Sequence, residues 1–137
     1  MTGVTILVVE DDGLIVLYLM GILEKAGYRV LEPVYSGERV LRLLEKSPGP
    51  DLILMDVGLA GSLDGIETAR QIMQQYSIPL IFITAYTSER TFERMREVEY
   101  CGIIAKPFIQ EELLRSIEKA MESKGVLSKG SSNVFLN

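Results

Sequence analysis

Four short apolar runs in this chain each end on a polar residue equipped for chemistry. Residues 6–9 lead into Glu10, Asp11 and Asp12, residues 52–55 into Asp56, residues 80–83 into Thr84, and residues 103–105 into Lys106 and Pro107. Short runs that are apolar throughout suit strands buried on both faces of a parallel sheet. The carboxyl ends of such strands line one crevice, where ligands bind. The spacing therefore predicts that Glu10, Asp11, Asp56, Thr84 and Lys106 meet in space.

Apolar runs at 4–9, 28–34, 51–55, 79–83 and 101–105 alternate with patterns of helical period at 13–26, 36–46, 64–76, 88–98 and 108–122. Ser36 can cap the second helix, Asp64 with Glu67 has the form of a capping box for the third, and Gly27 can end the first. Short connections between strand and helix imply an α/β fold, a doubly wound parallel sheet with right-handed crossovers. In the flavodoxin-like (βα)5 order 2-1-3-4-5, strand 1 sits at the switch point, which makes Glu10, Asp11 and Asp56 neighbours. Residues 1–123 form one domain, and 124–137, rich in Ser, Gly and Lys, have the composition of a flexible tail or linker.

Composition narrows the chemistry. The 137 residues are 47% hydrophobic, enough for one core without disulfide or metal support. A net charge of −5 argues against direct nucleic-acid binding, since phosphate contacts need a basic face. The absence of histidine removes a Ser-His-Asp triad, a histidine base and histidine metal ligands, and leaves hard oxygen chemistry. The single cysteine, Cys101, lies beside an expected strand and reads as a small core residue. No secretory pattern opens the chain, and the apolar stretch from Leu14 to Leu23 falls short of the roughly 20 residues that span a bilayer, so the expected setting is the cytoplasm, with no membrane partner.

Carboxylates converging on a few ångströms repel one another and raise at least one pKa unless a cation joins them. Mg²⁺ suits such a site because it takes hard oxygen ligands through one or two carboxylates and keeps room for a phosphate. A carboxylate there, such as Asp56, can attack phosphorus and become an aspartyl phosphate. The transferring group carries negative charge, so it needs a cation and a hydroxyl donor, which Lys106 and Thr84 offer. Each residue also has a plainer explanation: Asp12 as a helix N-cap, Glu10 or Asp11 as a solvated strand end, Thr84 as a strand terminus, Lys106 as a surface lysine before a helix-starting proline. Their joint occurrence, each at the end of its own strand, favours a site.

These pieces resemble the receiver domain of two-component response regulators over about residues 1–122. The matching segments are Ile6-Leu-Val-Val-Glu-Asp-Asp12, Leu52-Ile-Leu-Met-Asp56, Asp64-Gly-Ile-Glu67, Ile83-Thr-Ala85 and Ala105-Lys-Pro-Phe108. The resemblance implies a phosphorelay switch in which Asp56 accepts a phosphoryl group from a histidine kinase or histidine phosphotransfer protein. It implies that Asp11 binds Mg²⁺ directly, Glu10 through water, and Gly58 through its backbone carbonyl. Thr84 would donate its hydroxyl to the phosphoryl group, Lys106 would pair with it, and Ala85 would leave it room. The Lys106-Pro107 bond is a cis candidate on the same grounds.

Three positions depart from the family pattern. Ile103 stands where the family carries its switch aromatic, and nearby Tyr100 is out of register. The loop 57–63 lacks the common proline and is longer than usual by a residue, a variant that resembles receivers linked to sensor kinases. Gly58 and Tyr86 occupy the positions that tune dephosphorylation in the family, and bulky Tyr86 could shield the acyl phosphate.

On a helical wheel the first helix points Ile15, Tyr18, Leu19, Ile22 and Ala26 inward and leaves Leu17 and Met20 toward solvent, as part of a kinase contact or a homodimer surface. Other functions fit less well. A haloacid-dehalogenase-type phosphatase needs a second acid two residues after its nucleophile, where this chain has Gly58. A flavodoxin-like cofactor carrier needs a phosphate loop after the first strand, where Glu10, Asp11 and Asp12 would repel phosphate. A receiver acting by docking alone would not need the full acidic set.

Overall fold

The computed structural model describes residues 3–85 and 88–123. The tail expected at 124–137 and the shielding role given to Tyr86 lie outside the described residues. Strands and helices alternate as β1 (Thr5–Val9), α1 (Gly13–Lys25), β2 (Arg29–Val30), α2 (Gly37–Lys46), β3 (Leu52–Asp56), α3 (Gly65–Gln75), β4 (Leu80–Thr84), α4 (Glu89–Met95), β5 (Gly102–Ala105) and α5 (Gln110–Ser123). Every pairing is parallel, in the order β2-β1-β3-β4-β5, the flavodoxin-like arrangement.

The apolar strands are buried because helices cover both sheet faces. On one face Leu19 and Leu23 of α1 and Ile117 of α5 pack against Ile6, Val8 and Leu54. On the other, Val40 of α2, Ile66 and Ile72 of α3 and Met95 of α4 pack against Leu7, Val9 and Ile53. Truncating one such buried side chain to alanine costs roughly 2–5 kcal/mol.

The expected N-caps form, although the Glu67 carboxylate that would complete a capping box meets Arg70 and Gln71 instead. Asp12 caps α1 by accepting from the Leu14 and Ile15 N–H groups, Ser36 accepts from Arg39, and Asp64 accepts from Glu67. Gly27 follows α1 with φ +95°, a left-handed conformation that glycine adopts without strain.

Several boundaries move. The run at 28–34 gives a ladder of only Arg29–Val30, then rejoins β1 through a bridge between Val9 and Val34. Pro33 lacks the N–H a continuous ladder needs, which confines this segment to the sheet edge. Pro107 does not start α5: Phe108 turns inward first and the helix begins at Gln110.

The inward stripe of α1 is Val16, Leu19, Ile22 and Leu23. Ala26 is exposed, and Tyr18 lies on the outside with its ring stacked 5.6 Å from that of Phe108. Leu17 is exposed as expected, whereas Met20 is half-buried. Cys101 is exposed too, because it precedes β5 and stands at the sheet's amino edge rather than within a strand.

Candidate functional site

Parallel pairing brings the carboxyl ends of four strands to one edge. Glu10 and Asp11 follow β1, Asp56 ends the adjacent β3, Thr84 ends β4, and Lys106 follows β5. Glu10 is 2% exposed and Asp56 5%, so their charges sit largely out of water and need partners. Glu10, Asp11 and Asp56 each offer an oxygen, all within 4.8 Å of one another.

Lys106 supplies one cation. Its Nζ lies 3.2 Å from Glu10 Oε1 and 3.2 Å from Asp56 Oδ1. The Lys106 N–H donates to the Thr84 carbonyl at 2.8 Å, which ties the lysine to the end of β4, and the Lys106–Pro107 bond is cis. Thr84 is buried beside it.

Backbone donors hold the acids. The Asp12 N–H donates to Glu10 Oε2 at 3.1 Å, Gly58 N–H to Asp56 Oδ1 at 3.2 Å, and Ala60 N–H to Asp11 Oδ2 at 3.1 Å. Gly58 and Ala60 thus bring the loop after β3 against the cluster. Ser62 on the same loop donates its hydroxyl to Glu38 of α2.

The electrostatics are unbalanced. Burial, and then the Asp56 carboxylate, push the Glu10 carboxyl above its ordinary range, against the Asp12 N–H and Lys106. Burial alone would lower the Lys106 ammonium; the Asp56 and Glu10 charges outweigh it and hold the lysine above its ordinary value. One ammonium faces three carboxylates. Glu10 Oε1 is buried without a hydrogen bond, and its contact with Lys106 is an ion pair of poor hydrogen-bond geometry. An all-oxygen donor set with an unsatisfied buried oxygen fits a hard divalent cation, with Glu10, Asp11 and Asp56 positioned to hold it.

Two contributions to this site escape a linear reading. A Cβ on Gly65 would stand 2.0 Å from the Asp56 carbonyl oxygen, so only glycine lets α3 start against the end of β3. The Asp64-Gly65 pair was legible as a helix start, but nothing local announces the contact. Arg94 of α4 forks onto Asp64, donating from Nη1 at 2.8 Å and Nη2 at 3.2 Å. Ile103 is half-buried beside the α4 face, and Tyr100 is held edge-on to Phe82 with ring centroids 5.6 Å apart, so it does not stand in for an aromatic at 103.

Comparison with known proteins agrees with this geometry. The family model "response regulator receiver domain" matches residues 6–118. The chain is 31% identical over 116 residues to the transcriptional regulatory protein PdtaR of Mycobacterium tuberculosis (strain ATCC 25618 / H37Rv), covering 85% of this chain and 56% of that protein. It is 30% identical over 116 residues to the phyllosphere-induced regulator PhyR of Methylorubrum extorquens, covering 85% and 43%. The chain therefore spans about half the length of the curated relatives it matches.

Among solved structures, the receiver domain of sensor histidine kinase PA1611 from Pseudomonas aeruginosa PAO1 superposes with TM-score 0.77 at 32% identity, over 87% of this chain and 98% of that one. That structure has a magnesium ion coordinated in its active-site cleft. With a matching family model over most of its length, the relatives' identity and the sheet order all in agreement, the chain belongs to the response regulator receiver domain family.

Proposed function

We propose that this receiver takes a phosphoryl group from a phosphohistidine partner onto Asp56, with Mg²⁺ held by Glu10, Asp11, Asp56 and the Gly58 carbonyl. The observation that carries this reading is the convergence of Glu10, Asp11 and Asp56 within 4.8 Å, two of them buried, against Lys106. Bound there, Mg²⁺ neutralises charge on the phosphoryl oxygens. The described contacts of Asp56 with Gly58 and Lys106 both use Oδ1, which leaves Oδ2 for attack. An O–P bond forms to Asp56 as the N–P bond of the phosphohistidine breaks, and the electron pair returns to the imidazole nitrogen. Lys106 and Thr84 then hold the phosphoryl oxygens, the lysine by charge and the threonine by its hydroxyl. The protein is a transfer domain rather than a turnover enzyme, working in the cytoplasm without direct nucleic-acid contact.

Incubation with Mg²⁺ and a small-molecule phosphodonor, read by intact mass, tests the proposal. Wild type gains one phosphoryl group and Asp56→Asn gains none; equal labelling of both, or of neither, overturns it.

The partner meets the outer face of α1. Leu14, Leu17 and Tyr18 are exposed there, with Ile109 beside them at the start of α5, and apolar residues gathered beside an active edge favour a partner helix. Leu17→Glu slows phosphotransfer or changes the oligomeric state; no change in either removes this surface. Tyr86, two residues past Thr84, favours slow loss of the acyl phosphate, and loss within seconds in a phosphate-release assay contradicts that.

A further inference from the structure

The amino edge of the sheet, opposite the acidic cluster, carries a groove of about 450 Å³. Its apolar wall is Met73, Tyr76 and Ile78 around the end of α3 and Tyr100 before β5, all half-buried against the core. Ala120 and Ser123, in the last turns of α5, form its other side, and Glu99 adds a negative charge at its rim. None of these residues takes part in the acidic site.

The geometry points to residues 126–136 of this same chain as the occupant. The polypeptide leaves α5 at Ser123, on the groove's own margin, so Val126 lies at most about 10 Å of extended chain away. The segment is not uniformly polar: Val126-Leu127 and Val134-Phe135-Leu136 are two apolar clusters separated by Ser128-Lys-Gly-Ser-Ser-Asn133, a composition suited to a turn. Its only charged side chain is Lys129, with Lys124 just before it and no acid, which complements Glu99 at the rim. Chain continuity makes the docking intramolecular, so the effective concentration of the apolar clusters at the groove is high and modest burial suffices. The Gly- and Ser-rich composition that reads as a free linker serves here as the turn between two anchors.

Cys101 lines the groove, is exposed in the described fold, and is the only cysteine in the chain, so it reports occupancy directly. The test compares thiol modification of Cys101 by an aromatic disulfide reagent in the 137-residue wild type and in its Leu127→Asp and Phe135→Asp variants. Docking predicts that the variants react about tenfold faster, the protection given by about 1.4 kcal/mol. It also predicts that the wild-type rate does not change on dilution and that trypsin cleaves after Lys129 faster in the variants. Equal rates in all three proteins overturn the proposal. Protection that disappears on dilution overturns it as well, and assigns the groove to a second copy of the chain. Circular dichroism and urea unfolding of the variants establish that the domain is intact, so that faster modification reports the groove and not global unfolding.

Discussion

The two halves of the active edge are held by different means. On the β1–β3 half, each acid is fixed by a backbone N–H: Asp12 on Glu10, Ala60 on Asp11, Gly58 on Asp56. The start of α3 is pressed against the Asp56 carbonyl through Gly65. On the β4–β5 half the cation arrives on a long side chain, α4 is tied back by the Arg94–Asp64 fork, and the turn after α4 by Arg70 to Glu97 at 2.9 Å. Backbone geometry leaves little freedom, whereas surface side-chain pairs are weak and exchange readily. The acids of the site are therefore set by the sheet and its backbone donors, while α4 is tied to α3 by side-chain pairs.

The largest effect is expected at Gly65. A methyl group there meets backbone at 2.0 Å, which cannot rotate away, so Gly65→Ala should cost about 3 kcal/mol in urea unfolding. Gly21, on the outside of α1, is the control: a methyl group there meets nothing within 4 Å, and Gly21→Ala should stabilise by roughly 1 kcal/mol. If the two substitutions behave alike, α3 is not clamped onto β3 and the β1–β3 half is no stiffer than the other.

A divalent cation should give an effect of intermediate size on the acid-bearing half. Mg²⁺ that binds the native acids and not the unfolded chain stabilises by RT ln(1 + [Mg²⁺]/Kd), about 1.4 kcal/mol at ten times Kd. Chelation should reverse the shift, Asp11→Asn should reduce it, and NaCl at matched ionic strength should not reproduce it. An equal response in Asp11→Asn would move the ion away from the acidic cluster.

What the sequence made legible follows from what is local. The strands at 4–9, 51–55 and 79–83 announce themselves because burial on both sheet faces demands unbroken apolar runs, and their ends then locate Glu10, Asp56 and Thr84. The acid-side contacts were legible for the same reason, since the topology alone makes β1 and β3 neighbours. The edge strand β2 was overestimated because apolar character continues past Pro33, where the ladder cannot. The face of α1 was misjudged at Tyr18 because a ring can cover Phe108 from outside and so count as neither core nor free surface. Gly65 against Asp56, and Arg94 against Asp64, join residues distant in sequence, and no periodicity encodes such contacts.

The smallest expected effect belongs to the Asp64–Arg94 fork, and its pH dependence identifies it. Burial by itself would raise the Asp64 carboxyl, but the Arg94 hydrogen bonds, the Glu67 N–H and the guanidinium charge outweigh burial and hold it below its ordinary value. A carboxyl depressed in the folded state contributes stability that is fully present above its unfolded value of about 3.9 and is lost as pH falls through the lower folded value. Both side chains are about a third or more exposed, so solvent screens the pair and Arg94→Met should cost less than about 1 kcal/mol at pH 7. The gap between wild type and Arg94→Met should close as urea titrations are taken down through the acid range, while Asp56 phosphorylation stays unchanged. A gap that persists at the lowest pH would mean that Arg94 stabilises α4 by packing its stem, and that the β4–β5 half is not held by charge.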